Sequence, residues 1–139
     1  MASFSYEVEI QATPEKIWAT WMDVEHWPDW APPMKKLEML TPGNLRAGSR
    51  VKINAEGAPV ATWEVSDFRP HQYFEWSTSV RGVGVKAGHA IRAVDDTCVV
   101  TLDVRYSGIM ATIFRPMIMR TARKNVVAEA HGLRERCES

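Results

Sequence analysis

The stretch VKAGHAIRAVDDTCVVTLDVRYSG, residues 85–108, decides how the rest of the chain is read. Val85, Ala87, His89, Ile91 and Ala93 alternate with residues that include Lys86 and Arg92. After VDD at 94–96, Cys98, Val100, Leu102, Val104 and Tyr106 alternate with Thr101, Asp103 and Arg105. A period of two with one apolar side describes half-buried strands, and the short polar break makes them an antiparallel hairpin with one wet and one buried face. Beyond Gly108 the period becomes helical. Phe114, Ile118, Ala122, Val126 and Leu133 form a stripe, while Arg120, Arg123, Lys124, His131 and Arg134 mostly face away, so one long helix lies on the sheet. Pro116 removes a helical donor and crowds the preceding turn, which predicts a kink or a start-up turn there. Gly132 costs about 1 kcal/mol of helix propensity inside this pattern and marks close approach to another element.

Working outward, Phe74, Trp76, Thr78 and Val80 repeat the strand alternation, with Glu75 and Ser77 on the polar side. Turn signals separate further strands: TPGN at 41–44, EGAP at 56–59, RPHQ at 69–72 and RGVG at 81–84. Near the N-terminus, Phe4, Tyr6, Val8 and Ile10 alternate with polar residues as a strand. A helix follows, with Thr13 as cap, Pro14 in its first turn, and Ile17, Trp18 and Trp21 on one face. Asp23 reads as the cap of a second, very short helix that Pro28 ends early, leaving Trp27 and Trp30 at its exit. The whole is an α+β domain spanning residues 1–139: a curved seven-stranded antiparallel sheet around a long C-terminal helix, with two short helices between strands 1 and 2. Such a sheet leaves a cavity beneath the helix.

Composition narrows the function classes. Seventeen basic residues balance seventeen acidic ones, so no summed field favours nucleic acid. Cys98 and Cys137 fit no metal or redox spacing and read as reduced, packed thiols. His26, His71, His89 and His131 show no metal-ligand spacing, and neither a phosphate loop nor a dinucleotide fingerprint occurs, so no cofactor is expected. No apolar run reaches membrane-spanning length and the N-terminus lacks a signal-peptide pattern, which predicts a soluble, cytoplasmic protein. Homo-oligomer formation is left open.

The segments ATPEKIWATWMDVEHWPDWAP (12–32), FEWSTSV (74–80), AGHAIRAVDDTCVVTLDVRYSG (87–108) and EAHGLRERCE (129–138) resemble the polyketide cyclase/dehydrase branch of the START-like, helix-grip (Bet v 1-like) superfamily. That superfamily includes lipid-transfer domains, plant hormone and allergen proteins, aromatase/cyclases and chaperone activators. The resemblance implies a pocket for a small hydrophobic or aromatic ligand.

Placed in such a fold, Trp27, Trp30, Trp76, His89, Tyr106, Phe114 and Met117 are the candidate ligand contacts. Trp27 and Trp30 either plug the core or border the cavity, since an indole offers a large apolar face with one polar handle. Trp76, unlike Trp63, shares the parity of an apolar face. The inward His89 is either a core imidazole satisfied by one hydrogen bond or a general base near neutral pH. Glu129 falls within the apolar stripe and must be paired, hydrogen-bonded or raised in pKa. It is read as a structural tie between the long helix and the tryptophan-rich segment, with His89 among its other potential partners. Two functions follow as expectations: binding of a lipid- or polyketide-like molecule, or a cyclase/dehydratase reaction in the same cavity with His89 moving the proton.

Overall fold

The computed structural model describes residues 2–139. Strands β1 (Ala2–Ile10), β2 (Met34–Met39), β3 (Arg50–Ala55), β4 (Ala61–Arg69), β5 (Tyr73–Val80), β6 (Val83–Val94) and β7 (Thr97–Ser107) form one antiparallel sheet in the order β1-β7-β6-β5-β4-β3-β2. From β2 to β7 each strand pairs with its successor. β1 instead closes onto β7, so the segment between β1 and β2 must cross the sheet from edge to edge. It does so as α1 (Pro14–Met22) and a 3-10 helix (Val24–Asp29). The long C-terminal helix completes the helix-grip arrangement expected above.

Turn chemistry sets the register. Arg81 and Gly82 both have positive φ, 53° and 79°, the backbone that lets a two-residue hairpin follow the right-handed twist of its strands. Val80 therefore opposes Val83, which puts Phe74 opposite His89. The Asp95–Asp96 turn places Val94 opposite Thr97 and hence His89 opposite Leu102, and β1 adds Tyr6 opposite Leu102. Tyr6, Leu102, His89 and Phe74 thus form one transverse row on the inner face. A bulge between Val65 and Asp67 in β4 changes the parity: Val65 opposes Trp76 and Phe68 opposes Phe74, so both face inward. Trp63 shares the side of Val65 and stacks toward Trp76 at 6.4 Å. The strict alternation that set Trp63 aside does not survive the bulge.

The Thr13 hydroxyl accepts from the Lys16 N–H and caps α1, which buries Ile17, Trp18 and Trp21. Asp23 holds the N-cap position of the 3-10 helix, as read from sequence. Its carboxylate makes no cap bond and instead accepts from His26 Nδ1 at 2.7 Å. The C-terminal helix begins as a start-up turn, α2 (Ile109–Ile113), breaks at Phe114, and continues as α3 (Arg115–Glu138) with Pro116 in its first turn. Phe114 therefore leaves the wheel: at the break its φ and ψ are −100° and 20°, and its side chain is 43 % exposed. Below it, α3 buries Met119, Ala122, Val126, Ala130, Leu133 and Cys137. His131 is half-buried against β1, bonded to Tyr6 Oη at 3.1 Å, rather than turned to solvent. A Cβ on Gly132 would overlap the carbonyl oxygen of Trp30, so α3 passes directly over the exit of the 3-10 helix.

The polar face of the sheet is not uniformly wet. Glu75 is buried there, accepting hydrogen bonds from Ser66 Oγ, Tyr73 Oη and Arg105. Burial alone would raise its pKa, but the bonds from Ser66 and Arg105 and the Arg105 charge hold it below the ordinary carboxylate range. Cys98 and Cys137 are free and buried. Among the described residues no helix is long and apolar enough to cross a membrane.

Candidate ligand site

The turn-set register brings the His89 ring flat against Phe74, with centroids 4.1 Å apart and planes inclined by 2°. Trp21, Trp27 and Trp76 meet it edge-on at 5.5, 5.7 and 5.5 Å. Local folding supplies these walls: α1 presents Trp21, and Trp27 Nε1–H donates to the Trp21 carbonyl at 3.0 Å, locking the 3-10 helix onto α1. His89 is 3 % exposed. An imidazole in such a box has lost its water, which disfavours the charged form.

One ring nitrogen is committed. Nδ1–H donates to the Phe74 carbonyl at 3.3 Å, which leaves Nε2 as the lone-pair nitrogen. Nε2 points to Glu129 Oε2 at 3.7 Å, too long for a direct hydrogen bond. Burial pushes the His89 pKa down to about 3, the Phe74 bond opposing only partly, and pushes the Glu129 pKa up to about 8. At neutral pH the pair is therefore a neutral imidazole facing a protonated carboxyl. A proton acceptor and a proton donor open onto the same gap. Trp21 Nε1–H, also buried, has no partner among the described residues.

The inner face is unequally covered. Around the His89 row, Ile91, Val100, Leu102 and Phe74 are buried. Toward the β5–β6 turn, Trp63, Thr78, Val85, Ala87, Val104 and Tyr106 are only half-buried. On α3, the side formed by Ile118, Thr121, Asn125 and Glu129 is likewise half-buried, and Asn125 Nδ2 donates to the Glu56 carbonyl in the β3–β4 turn. The inner face is thus closely covered around His89 and more open toward the β5–β6 turn.

The seven residues singled out from sequence are separated by this arrangement. Trp27, Trp76 and His89 meet in one cluster, and Trp30 adds to it through Trp27 at 5.0 Å. Tyr106 lies at the open end, lining a concavity with Ala2, Ala111, Thr112 and Arg115. Phe114 and Met117 stand on the outer surface, Met117 61 % exposed, because the helix break turns this segment away from the sheet. Phe74, Trp21 and Trp63 were not singled out. Counting pairs back from the Arg81–Gly82 turn would have found Phe74 beside His89. The tie expected between Glu129 and the tryptophan segment is instead made by Gly132 under Trp30, while Glu129 faces His89. Among the described residues no three His, Cys, Asp or Glu side chains gather as a metal site.

A curled antiparallel sheet gripping a C-terminal helix defines the helix-grip fold. The chain belongs to the family described as polyketide cyclase / dehydrase and lipid transport, whose model matches residues 1–138. No match is found among curated proteins. Solved structures share the fold. A hypothetical protein from Helicobacter pylori superposes with a TM-score of 0.85 at 18 % identity, covering 98 % of this chain and 88 % of that one. A major latex-like protein from Panax ginseng gives 0.82 at 10 % identity, with 99 % and 98 % covered. An aromatase/cyclase from Streptomyces sp. R1128 gives 0.76 at 18 % identity, with 99 % and 93 % covered.

Proposed function

We propose that this protein binds a small apolar or aromatic molecule bearing a carbonyl or hydroxyl group, held between the sheet and α3. The observation that carries this reading is the 3.7 Å separation of His89 Nε2 and Glu129 Oε2 inside an aromatic box. Apolar surface supplies most of the affinity in such a site, and a few placed polar groups fix orientation. A ligand oxygen at the gap takes a hydrogen bond from the Glu129 acid, and a ligand hydroxyl gives one to His89 Nε2. Trp63, Thr78, Val85 and Tyr106 form the approach. Membership of a family named for cyclases, dehydrases and lipid transport supports the ligand class.

The same pair favours a second reading, a cyclase or dehydratase. Groups whose environments drive their pKa values apart make a general acid and a general base. Glu129 gives its proton to a ligand carbonyl oxygen while His89 Nε2 removes a proton from the adjacent carbon. The electron pair of that C–H bond becomes the enol C=C while the carbonyl π pair takes the Glu129 proton; collapse of the enol then returns that proton to Glu129 and expels a β-hydroxyl, which leaves as water with the proton held by His89.

The deciding measurement is native mass spectrometry of protein purified from its own host, followed by denaturation and identification of any released molecule. Titration of the tryptophan fluorescence with a hydroxylated anthraquinone runs in parallel. A released lipid or aromatic compound, or saturable quenching that Trp76→Ala weakens, supports binding. An unliganded mass with no saturable quenching overturns it. For the second reading, His89→Ala lowers turnover of an identified substrate by about 10²–10⁴-fold with binding intact, and unchanged turnover removes His89 as the base.

A further inference from the structure

The α2–α3 elbow carries a surface that the ligand site does not use. Ile109, Ile113, Phe114 and Met117 are 75 %, 60 %, 43 % and 61 % exposed, a run of large apolar side chains within nine consecutive positions. Soluble proteins seldom leave such a cluster uncovered without a partner. Its charge is one-sided. The chain as a whole is electroneutral, yet no Asp or Glu occurs between Asp103 and Glu129, while Arg115, Arg120, Arg123 and Lys124 are all exposed there. Met117, Arg120 and Lys124 follow the spacing i, i+3, i+7 and share one side of α3, opposite the buried Ala122 and Val126. Apolar side chains projecting from a helical elbow and flanked by basic residues that make no ion pair among the described residues match the headgroup region of an anionic bilayer. There the side chains enter the acyl boundary and the cations meet lipid phosphates.

We infer that the α2–α3 elbow docks the protein onto anionic membrane surfaces, with Ile109, Ile113, Phe114 and Met117 inserted and Arg120, Arg123 and Lys124 on the headgroups. Charge complementarity selects an anionic bilayer over a neutral one. The elbow also borders the open end of the interior, since Ala111, Thr112 and Arg115 line the same concavity as Tyr106. Docking places that opening against the lipid. The inference stands independently of the proposed ligand.

The test is sedimentation of the full chain with vesicles of phosphatidylcholine alone or with about one-third phosphatidylglycerol, at low and physiological salt. Binding is expected only to the anionic vesicles, weakening as salt screens the headgroups. Ile113→Asp with Met117→Asp abolishes it, and Arg120→Glu with Lys124→Glu lowers partitioning by about tenfold or more. These positions are exposed, so circular dichroism and hydroxyanthraquinone quenching remain those of the parent. Equal sedimentation with both vesicle types, no sedimentation with either, or binding indifferent to both pairs of substitutions overturns the inference. So does a stable dimer in analytical ultracentrifugation that both apolar substitutions dissolve, because a second copy then covers the elbow. Loss of quenching with vesicle binding intact would count against the ligand site and leave the docking surface standing.

Discussion

Glu129 Oε2 on α3 stands 3.7 Å from His89 Nε2 on β6, and burial drives the two groups toward neutrality from opposite sides. The pH dependence of stability carries the signature. Folding lowers the His89 pKa from 6.5 to about 3, so between those values the unfolded chain binds a proton that the native state refuses. Stability therefore falls as pH drops from 6.5. Folding raises the Glu129 pKa from 4.5 to about 8, so the native state keeps a proton that the unfolded chain releases, and stability falls as pH rises from 4.5 to 8. The two contributions oppose between 4.5 and 6.5, giving a plateau there, and each limb approaches about 1.4 kcal/mol per pH unit. Glu129→Gln removes the decline above pH 6.5 and extends the acid limb up to pH 6.5, because nothing then offsets the His89 contribution. Urea denaturation from pH 5 to 8.5 checks this; equal declines in both proteins would refute a protonated Glu129.

Gly132→Ala separates helix propensity from packing. Alanine gains about 1 kcal/mol as a helix former, but its Cβ meets the backbone oxygen of Trp30, which cannot rotate away as a side chain would. Overpacking costs about 1–3 kcal/mol, so after the gain in helix propensity the net change is a destabilisation of up to about 2 kcal/mol. Chemical denaturation of the two proteins decides it, and a stabilised Ala variant would mean that α3 does not lie this close to the 3-10 helix.

Trp27→Phe removes the bond from Nε1 to the Trp21 carbonyl and part of the wall beside His89. A lost buried hydrogen bond and a small void together cost about 2–4 kcal/mol. Anthraquinone quenching weakens in the same variant if the ring borders the ligand. Full stability would show that Trp27 does not lock the two short helices together.

On the opposite face, Arg105→Ala strips the buried Glu75 of its cationic partner while leaving the bonds from Ser66 and Tyr73. Native Glu75 has a depressed pKa, so its contribution to stability is present above pH 4.5 and is lost as pH falls through the folded value. The Ala variant is destabilised most near neutral pH and converges on the parent in acid. A constant difference across pH 3–7 would count against the pairing.

Much of the fold was legible in local chemistry. The alternation in 85–106, the turn residues at 81–82 and 95–96, and Thr13 before Pro14 act over a few residues, so each could be read without knowing its neighbours in space. The start-up turn before Pro116 and the close approach at Gly132 belong with them, since each follows from one residue's steric limits. The bulge after Val65 was hidden, because a single added residue reverses strand parity without any mark in composition.

The site was legible in kind. A histidine among inward apolar residues and a glutamate on an apolar stripe stand out because burying either has a cost. Which partner each finds depends on the sum of hairpin registers and on the rotation of α3, quantities that accumulate along the chain and close only when helix meets sheet. The sequence by itself determined strands, turns, the Thr13 cap and the inward placement of His89 and Glu129. Only the tertiary structure decided that His89 and Glu129 face each other, that Trp27, Trp76 and Phe74 pack around the His89 ring, and that Phe114 and Met117 face outward. The physical reason is reach. Dihedral preference and hydrophobic period are properties of neighbours along the chain, whereas desolvation and pairing are properties of neighbours in space.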